Sequence, residues 1–177
     1  MQLITVEQFR QLPEEEFRDE FIYELQYGEI VTVPRPKHGV YEIRFRLFRL
    51  LDARLSSFGQ VAFQLPYRPF REFELRVADV AAISRERWEA VDPDDDLYGT
   101  PELVIEVKWP FNTERQLREL VSICLNKNTA EFWVVDPKQK SVTVVRRDGT
   151  PVVFEAGSTL SLAAFGGGEL PVDEIFA

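Results

Sequence analysis

Three charged residues interrupt two apolar stretches of the sequence, and their types suit one kind of chemistry. Asp79 lies within "RVADVAAI", and Glu106 and Lys108 lie two residues apart within "ELVIEVKWP". Two carboxylates can hold a hard cation such as Mg²⁺ through their oxygens. The metal polarises a phosphate and lowers the pKa of a bound water, and a lysine can orient or deprotonate that water. The residue types therefore predict a phosphodiester-cleaving site of Asp79, Glu106 and Lys108, with the two acids as metal ligands.

Strand periodicity decides which of these side chains can meet. Alternate residues of a β-strand share a face. Over 102–109, one face holds Leu103, Ile105, Val107 and Trp109, and the other holds Val104, Glu106 and Lys108. Because an unpaired buried charge costs several kcal/mol, the charged pair is a structural salt bridge, a strand end that reaches solvent, or a site. An aspartate followed, after any number of residues, by Glu-x-Lys occurs by chance in many α/β chains. The spacing therefore leaves these alternatives open.

Several further segments carry a resemblance to known proteins. They are "FIYELQYGEIV", "PRPKHG", "VADVAAI", "PELVIEVKWP", "EFWVVDP" and "LPVDEIF". Together they resemble the Uma2 family, also described as DUF820, which is assigned to the PD-(D/E)XK nuclease superfamily. The resemblance spans nearly the whole chain and implies a restriction-endonuclease-like core. It also implies that Asp79 and Glu106 bind metal, that Lys108 is the lysine of the motif, and that Glu24 and His38 are neighbours of the site.

The sequence departs from the family pattern at the lysine. The family commonly has serine at the position of Lys108 and carries a lysine on the following helix, where this chain has Leu120. We hypothesise that Lys108 supplies the same ammonium group from the position usual in the superfamily. The alternative is that Lys108 only forms a salt bridge with Glu106. Smaller departures are Ala78 in place of a proline, Cys124 in place of a tyrosine, and the turn at 128–130.

The order of predicted elements sets the fold class. Thr5 and Gln8 fit a capping box before a short helix, and residues 21–33 fit a hairpin that turns at Gly28. Apolar spacing predicts helices over 40–57 and roughly 113–126, separated by strand candidates that include 102–109. A hairpin at Asp148–Gly149 follows. We therefore expect one α/β (α+β) domain over residues 1–177, with a mixed sheet flanked by helices and extra hairpins at the N-terminal and C-terminal ends.

Composition limits the classes of partner and compartment. The net charge of −9 does not attract a polyanion to the surface as a whole, although six basic residues concentrate within 35–54. The N-terminus lacks the pattern of a signal peptide, and no apolar run is long enough to span a membrane. A single cysteine, Cys124, fits a reducing cytoplasm. The expectation is a cytoplasmic protein.

Two classes of function remain open from the sequence. The first is a Mg²⁺-dependent endonuclease, with Mn²⁺ as a substitute metal, DNA as the substrate and a homodimer as the assembly that such nucleases often form. RNA or small nucleotides as substrates are not separated from DNA by the sequence. The second is a catalytically inactive protein of the same fold that serves in binding or assembly. The acidic surface and the altered helix at Leu120 favour the second class.

Overall fold

A computed structural model describes residues 3–177. Five α-helices lie along this part of the chain. They are α1 (Val6–Arg10), α2 (His38–Arg54), α3 (Arg85–Glu89), α4 (Glu114–Leu125) and α5 (Val172–Phe176). The helices of residues 3–177 are all too short or too polar to cross a membrane.

Most strands of the described chain belong to one mixed sheet. Its seven strands, in spatial order, are β5 (Leu97–Tyr98), β3 (Gly59–Arg68), β4 (Arg76–Ser84), β6 (Leu103–Val107), β7 (Glu131–Asp136), β8 (Ser141–Arg146) and β9 (Pro151–Phe154). Strands β6 and β7 pair in parallel and are joined through α4, whereas β4 pairs antiparallel with both β3 and β6. The predicted mixed sheet flanked by helices is confirmed.

Helices cover the two faces of this sheet. The larger core lies under α2 and α5 and includes Leu103, Ile105 and Val107 of β6. The smaller core lies under α4 and includes Val104 of the same strand. The predicted alternation along β6 is therefore correct within the strand. Trp133 of β7 is fully buried in the larger core, where burying a large apolar side chain contributes about 2–3 kcal/mol.

Two helices begin with the cap that the sequence encodes. The Thr5 side chain accepts from the amide of Gln8, whose own side chain accepts from the Thr5 amide, which confirms the predicted capping box of α1. The same reciprocal pair joins Thr113 and Gln116 at the start of α4. Each cap satisfies two backbone donors that the first helical turn leaves without partners. The start of α4 is thereby fixed next to the end of β6.

The N-terminal hairpin forms a separate two-stranded sheet of β1 (Phe21–Gln26) and β2 (Glu29–Pro34). Gly28 takes a φ of +77° in its turn, and a Cβ added there would lie 2.9 Å from the Cβ of Leu3, so a larger residue would be strained. Leu25 and Leu75 exchange backbone hydrogen bonds of 2.9 Å in both directions. This bridge holds the hairpin against the residue just before β4.

The C-terminal part of the chain returns to the larger core. The predicted hairpin is present as β8 and β9, which turn at Gly149. A second small sheet pairs β10 (Thr159–Ser161) with β11 (Glu169–Pro171). Ile175 of α5 then packs in the same core as Leu47 and Leu51 of α2. This packing places α2, and with it Arg44, over the strands that carry the two acids.

Candidate active site

Strand pairing sets Asp79 opposite Glu106. The antiparallel register of β4 and β6 pairs Val80 with Ile105, so the next pair outward along the two strands is Asp79 and Glu106. The backbone amide of Val107 donates a 2.8 Å hydrogen bond to Oδ2 of Asp79. An aspartate is a poor strand former, but here its carboxylate accepts from the last amide of β6 that faces β4.

Arg44 of α2 neutralises Asp79 from the other side. Its Nη2 lies 2.9 Å from Oδ1 of Asp79, and the two side chains are 4% and 7% exposed. The Nε and Nη1 atoms of Arg44 are buried without a hydrogen-bond partner among the described residues. A buried carboxylate is tolerated when it is paired and hydrogen-bonded. Arg44 and the Val107 amide therefore explain how Asp79 is accommodated inside the fold.

Glu24 reaches the same region from β1 of the hairpin. Its Oε1 accepts a 3.0 Å hydrogen bond from the amide of Val77, and its Oε2 accepts one of 2.8 Å from Nε2 of Gln26. Nη1 of Arg76 lies 3.7 Å from Oε2 of Glu24. Arg76 is itself held by Glu74, whose Oε2 lies 2.8 Å from its Nε. The hairpin thus adds a third carboxylate and a second arginine.

These groups line one cavity of about 210 Å³. Its charged lining residues are Glu24, Arg44, Arg76, Asp79 and Glu106. The cavity lies between the hairpin, the ends of β4 and β6, and the first turns of α4. Three carboxylates therefore face two guanidinium groups in a space large enough for a small ligand group and water.

Burial and mutual repulsion raise the pKa values of the acids. Removal from water is the main cause for Glu106, whose pKa is raised well above its usual range, and the charges of Asp79 and Glu24 add to it. Burial also raises the pKa of Asp79 to about 6, although Arg44 and the Val107 amide oppose the change. The pKa of Glu24 is raised, again mainly by burial. The three acids therefore hold protons more readily than free carboxyl groups do, and a cation bound between them would relieve the repulsion.

The donor chemistry of the cavity fits a hard divalent cation. Asp79 and Glu106 offer carboxylate oxygens, which are the ligands that Mg²⁺ prefers, and Mg²⁺ binding through one or two carboxylates is usual. Within residues 3–177, no three His, Cys, Asp or Glu side chains are assembled into a preformed metal site. A metal held here would therefore rely on two carboxylates and on water or substrate oxygens.

Lys108 does not line this cavity, which corrects its expected placement beside Glu106. Its ammonium group forms ion pairs with Glu114 in the first turn of α4 and, at 3.6 Å, with Asp136. Lys108 lines a second cavity of about 590 Å³ on the other side of α4. Leu117 lines both cavities and so stands between them. The alternative that Lys108 pairs with Glu106 is not met either.

The error at Lys108 has a simple cause. Strand β6 ends at Val107, and the amide of Lys108 donates to the carbonyl of Val135 as the chain leaves the strand toward α4. Lys108 is on the side of the sheet that α4 covers, as alternation predicts, but the helix start separates it from Glu106. Hydrogen bonding to Glu114 raises the pKa of Lys108 further, which stabilises its charged form in this place.

The remaining predicted site residues separate in the structure. His38 is the first residue of α2, its side chain is 87% exposed, and its Nδ1 lies 4.0 Å from Glu42. It is not a lining residue of the acidic cavity, whereas Glu24 is. Leu120, at the position where the family carries its lysine, also lines the cavity. The position of Leu120 therefore belongs to the cavity, and the cavity lacks the ammonium group that the family's lysine would provide there.

Sequence reasoning missed Arg44 and Arg76 as site residues. Arg44 was available from helical spacing, because it falls four residues after Val40 and three before Leu47, on the apolar side of α2. A charge on the buried stripe of a helix indicates a buried partner. Arg76 opens β4 three residues before Asp79, and nothing in its local sequence marks it as a cavity residue.

Comparison with known proteins now fixes the family. The sequence profile of Uma2, described as "Putative restriction endonuclease", matches residues 6–173. The chain belongs to the Uma2 family. A similar solved structure is the "putative nuclease belonging to DUF820" from Anabaena variabilis, with 19% identity and a TM-score of 0.81. The alignment covers 98% of this chain and 97% of that one. Among proteins with curated descriptions, none matches the chain.

At this level of identity the Anabaena structure establishes the fold of the Uma2 chain and nothing finer. The two chains align over almost their full lengths, so the N-terminal hairpin and the C-terminal sheet belong to the shared architecture. The cavity with Asp79 and Glu106 is therefore built on a framework that other proteins also have.

Proposed function

We propose that this Uma2 protein is a Mg²⁺-dependent endonuclease of the PD-(D/E)XK type that hydrolyses phosphodiester bonds in DNA. The observation that carries the proposal is the pairing of Asp79 and Glu106 at facing positions of β4 and β6, inside a cavity. Membership of a family described as "Putative restriction endonuclease" supports the reaction class. Mn²⁺ is the expected substitute metal.

Asp79 and Glu106 would hold the metal. When bound, Mg²⁺ would polarise the phosphate and increase the acidity of a coordinated water. Arg44 keeps Asp79 in place through its ion pair, and the Val107 amide fixes the other oxygen. These two contacts orient the carboxylate before any ligand binds, which lowers the cost of organising the site.

Glu24 is the group we assign to accept the proton of the attacking water. It lines the cavity, and its pKa is raised by burial, which brings a carboxylate closer to the range useful for a general base. Arg76, beside Glu24, offers positive charge for the phosphate. The two arginines provide the cationic groups of this cavity, and Lys108 lies outside it.

The first experiment joins metal binding to cleavage. Calorimetry with Mg²⁺ and Mn²⁺ is expected to give binding for the wild type and strongly reduced binding for Asp79→Asn and Glu106→Gln, which keep the side-chain volumes. Plasmid and single-stranded DNA should be cut only by the wild type with metal. Equal metal binding by the wild type and both variants would remove the basis for the site.

The Arg44–Asp79 pair favours a second function, that of an inactive nuclease-fold protein in binding or assembly. A guanidinium group already neutralises the acid that a metal would bind, and the family's lysine position holds Leu120. Under this alternative, calorimetry detects no metal binding in the wild type and plasmid DNA remains intact at every metal concentration. The same experiment therefore separates the two functions.

We also propose a homodimer in the cytoplasm. The single Cys124 is buried and fits a reducing compartment, where nucleic acid is accessible. The dimer is an expectation from the nuclease superfamily. Sedimentation at micromolar protein concentration tests it directly, and a monomer at all concentrations would contradict it.

A further inference from the structure

The mouth of the acidic cavity carries an exposed aromatic ring. Phe111 is 62% exposed, and its ring centroid lies 4.9 Å from that of the nearly buried Trp109. Both residues line the cavity. A single exposed aromatic residue is common and needs no function to explain it. Phe111 lines the cavity that holds the three carboxylates, which the other exposed aromatic residues of the described chain do not.

Two side-chain amides that line the same cavity have fixed orientations. Oδ1 of Asn112 accepts a 3.0 Å hydrogen bond from the amide of Trp109, and Oε1 of Gln116 accepts one of 3.1 Å from the amide of Thr113. Because each oxygen is occupied, each NH₂ group remains as the donor end. Neither NH₂ group has a protein acceptor among the described residues, and both residues line the cavity.

The size of the cavity limits what part of a ligand can enter it. Its volume of about 210 Å³ is below the ~300–1,000 Å³ of pockets that enclose small molecules. A phosphate group with water fits this space, whereas a whole nucleotide does not. The base of a bound nucleotide would therefore remain at the mouth, where Phe111 and the two amides lie.

We propose that the cavity mouth binds an unpaired nucleobase, which stacks on Phe111 and accepts hydrogen bonds from the amides of Asn112 and Gln116. The proposal rests on the proposed function for the phosphate in the cavity, and it names the substrate class. A base inside a duplex has both faces covered and its pairing edge occupied. The substrate is therefore single-stranded or locally unpaired nucleic acid.

The test measures binding by the wild-type protein in EDTA, where metal-dependent cleavage is not expected. Fluorescence anisotropy compares a labelled oligothymidylate, an abasic strand of equal length and a duplex. Thymine presents two carbonyl oxygens to the amides. We expect the oligothymidylate to bind more tightly than the abasic strand or the duplex. Phe111→Ala removes one base-stacking contact, so it should weaken binding of the oligothymidylate by about 5- to 150-fold. The affinity for the abasic strand should not change.

Matched variants separate stacking and donation from general effects. Phe70 is 41% exposed in a different loop, so Phe70→Ala should leave all three affinities unchanged. Gln116→Glu keeps the oxygen that caps α4 and the capping box, but it removes the donor. Asn112→Asp does the same for the Trp109 amide. The added negative charge repels both strands equally, whereas the lost donor affects only a strand that has a base. Each variant should therefore weaken binding of the oligothymidylate more than binding of the abasic strand.

The outcomes distinguish this proposal from the nuclease proposal. Oligothymidylate that binds no more tightly than the abasic strand, or an unchanged affinity in Phe111→Ala, overturns the base site. Equal weakening of both strands by Gln116→Glu and Asn112→Asp overturns the role of the amides. Base binding that persists while the wild type neither binds metal nor cleaves supports the base site and rejects the nuclease.

Discussion

Nη2 of Arg44 and Oδ1 of Asp79 lie 2.9 Å apart, with both side chains almost completely buried. The pair joins helix α2 to strand β4 at the wall of the acidic cavity. The two charges neutralise each other only while α2 and the sheet stay packed together, because separation would leave each charge without its partner. A divalent cation would bring a second source of positive charge to the same carboxylate, so metal binding and the Arg44 ion pair are linked through Asp79.

Removal of Arg44 is expected to destabilise the fold strongly. Arg44→Met leaves Asp79 buried without its ion-pair partner, which costs about 3–5 kcal/mol in unfolding free energy. Urea unfolding at pH 7 without metal measures the effect. The double variant Arg44→Met/Asp79→Asn should recover part of the loss, because asparagine removes the unpaired charge and keeps an acceptor for Val107. A double variant no more stable than the single one would contradict this.

Stability is expected to decrease as pH rises from about 4 to above 6. Folding raises the pKa of Asp79 from 3.8 to about 6, so the folded state binds more protons than the unfolded chain in this window. That stability is present below the unfolded pKa and is lost as pH rises through the folded one. For Asp79 the loss of unfolding free energy amounts to about 3 kcal/mol. The raised pKa of Glu106 extends this loss to higher pH.

Metal should reverse this pH dependence if the acids bind it. Mg²⁺ binds the deprotonated carboxylates, so its stabilising effect should grow as pH rises. Thermal unfolding in EDTA and in Mg²⁺ across pH 4–8 tests both parts. In EDTA, Glu106→Gln should weaken the dependence of stability on pH at the high-pH end of this range. A profile in EDTA that rises with pH would show that the acids are not held as described.

Lys108→Ala should retain metal-dependent cleavage within about threefold, because the ammonium group contacts Glu114 and Asp136 and does not line the cavity. Glu106→Gln should lose at least about 100-fold, since a metal supplies several kcal/mol of charge stabilisation. Initial rates on single-stranded DNA compare the two. A loss at Lys108 as large as that at Glu106 would restore the catalytic role predicted for the lysine from its spacing.

Leu120→Lys is expected to raise the rate of cleavage about tenfold. The side chain at this position lines the cavity, so the substitution would bring an ammonium group to the acids, lower the pKa of Glu106 and supply charge for the phosphate. Leu120→Met is the control for altered packing. Rates are measured at saturating Mg²⁺. A slower or unchanged Leu120→Lys enzyme would contradict the role assigned to this position.

The two acids could be found from the sequence because each interrupts a strand. Strand periodicity is local, and an acid within an apolar run marks a place where the fold must provide a partner. Their meeting across β4 and β6 followed from the resemblance, since pairing between strands is not encoded in spacing along either one. The separate hairpin, the helix α4 and the mixed sheet were likewise predictable from turns, caps and apolar periods.

Lys108 and Arg44 show where this reasoning stops. Alternation predicted the correct side of the sheet for Lys108, but β6 ends at Val107, and the start of α4 then separates Lys108 from Glu106, which spacing along the strand does not encode. Arg44 was visible on the apolar side of α2, but its partner could not be named, because Asp79 lies 35 positions later in the sequence. His38 was favoured through the resemblance alone, and its exposed position at the start of α2 gives it no contact with the cavity.

The hydrogen bond from the Val107 amide to Asp79 has an evolutionary consequence. Asp79 terminates the pairing of β6, so loss of this acid would damage the sheet whether or not the protein catalyses a reaction. Selection for folding alone would then keep Asp79 in a descendant that had lost activity. Glu106 also accepts a backbone hydrogen bond, from Asp79, but burial and the charge of Asp79 outweigh it, so the Glu106 carboxylate raises the electrostatic cost of the fold. Retention of Glu106 among relatives is therefore the better record of selection for catalysis.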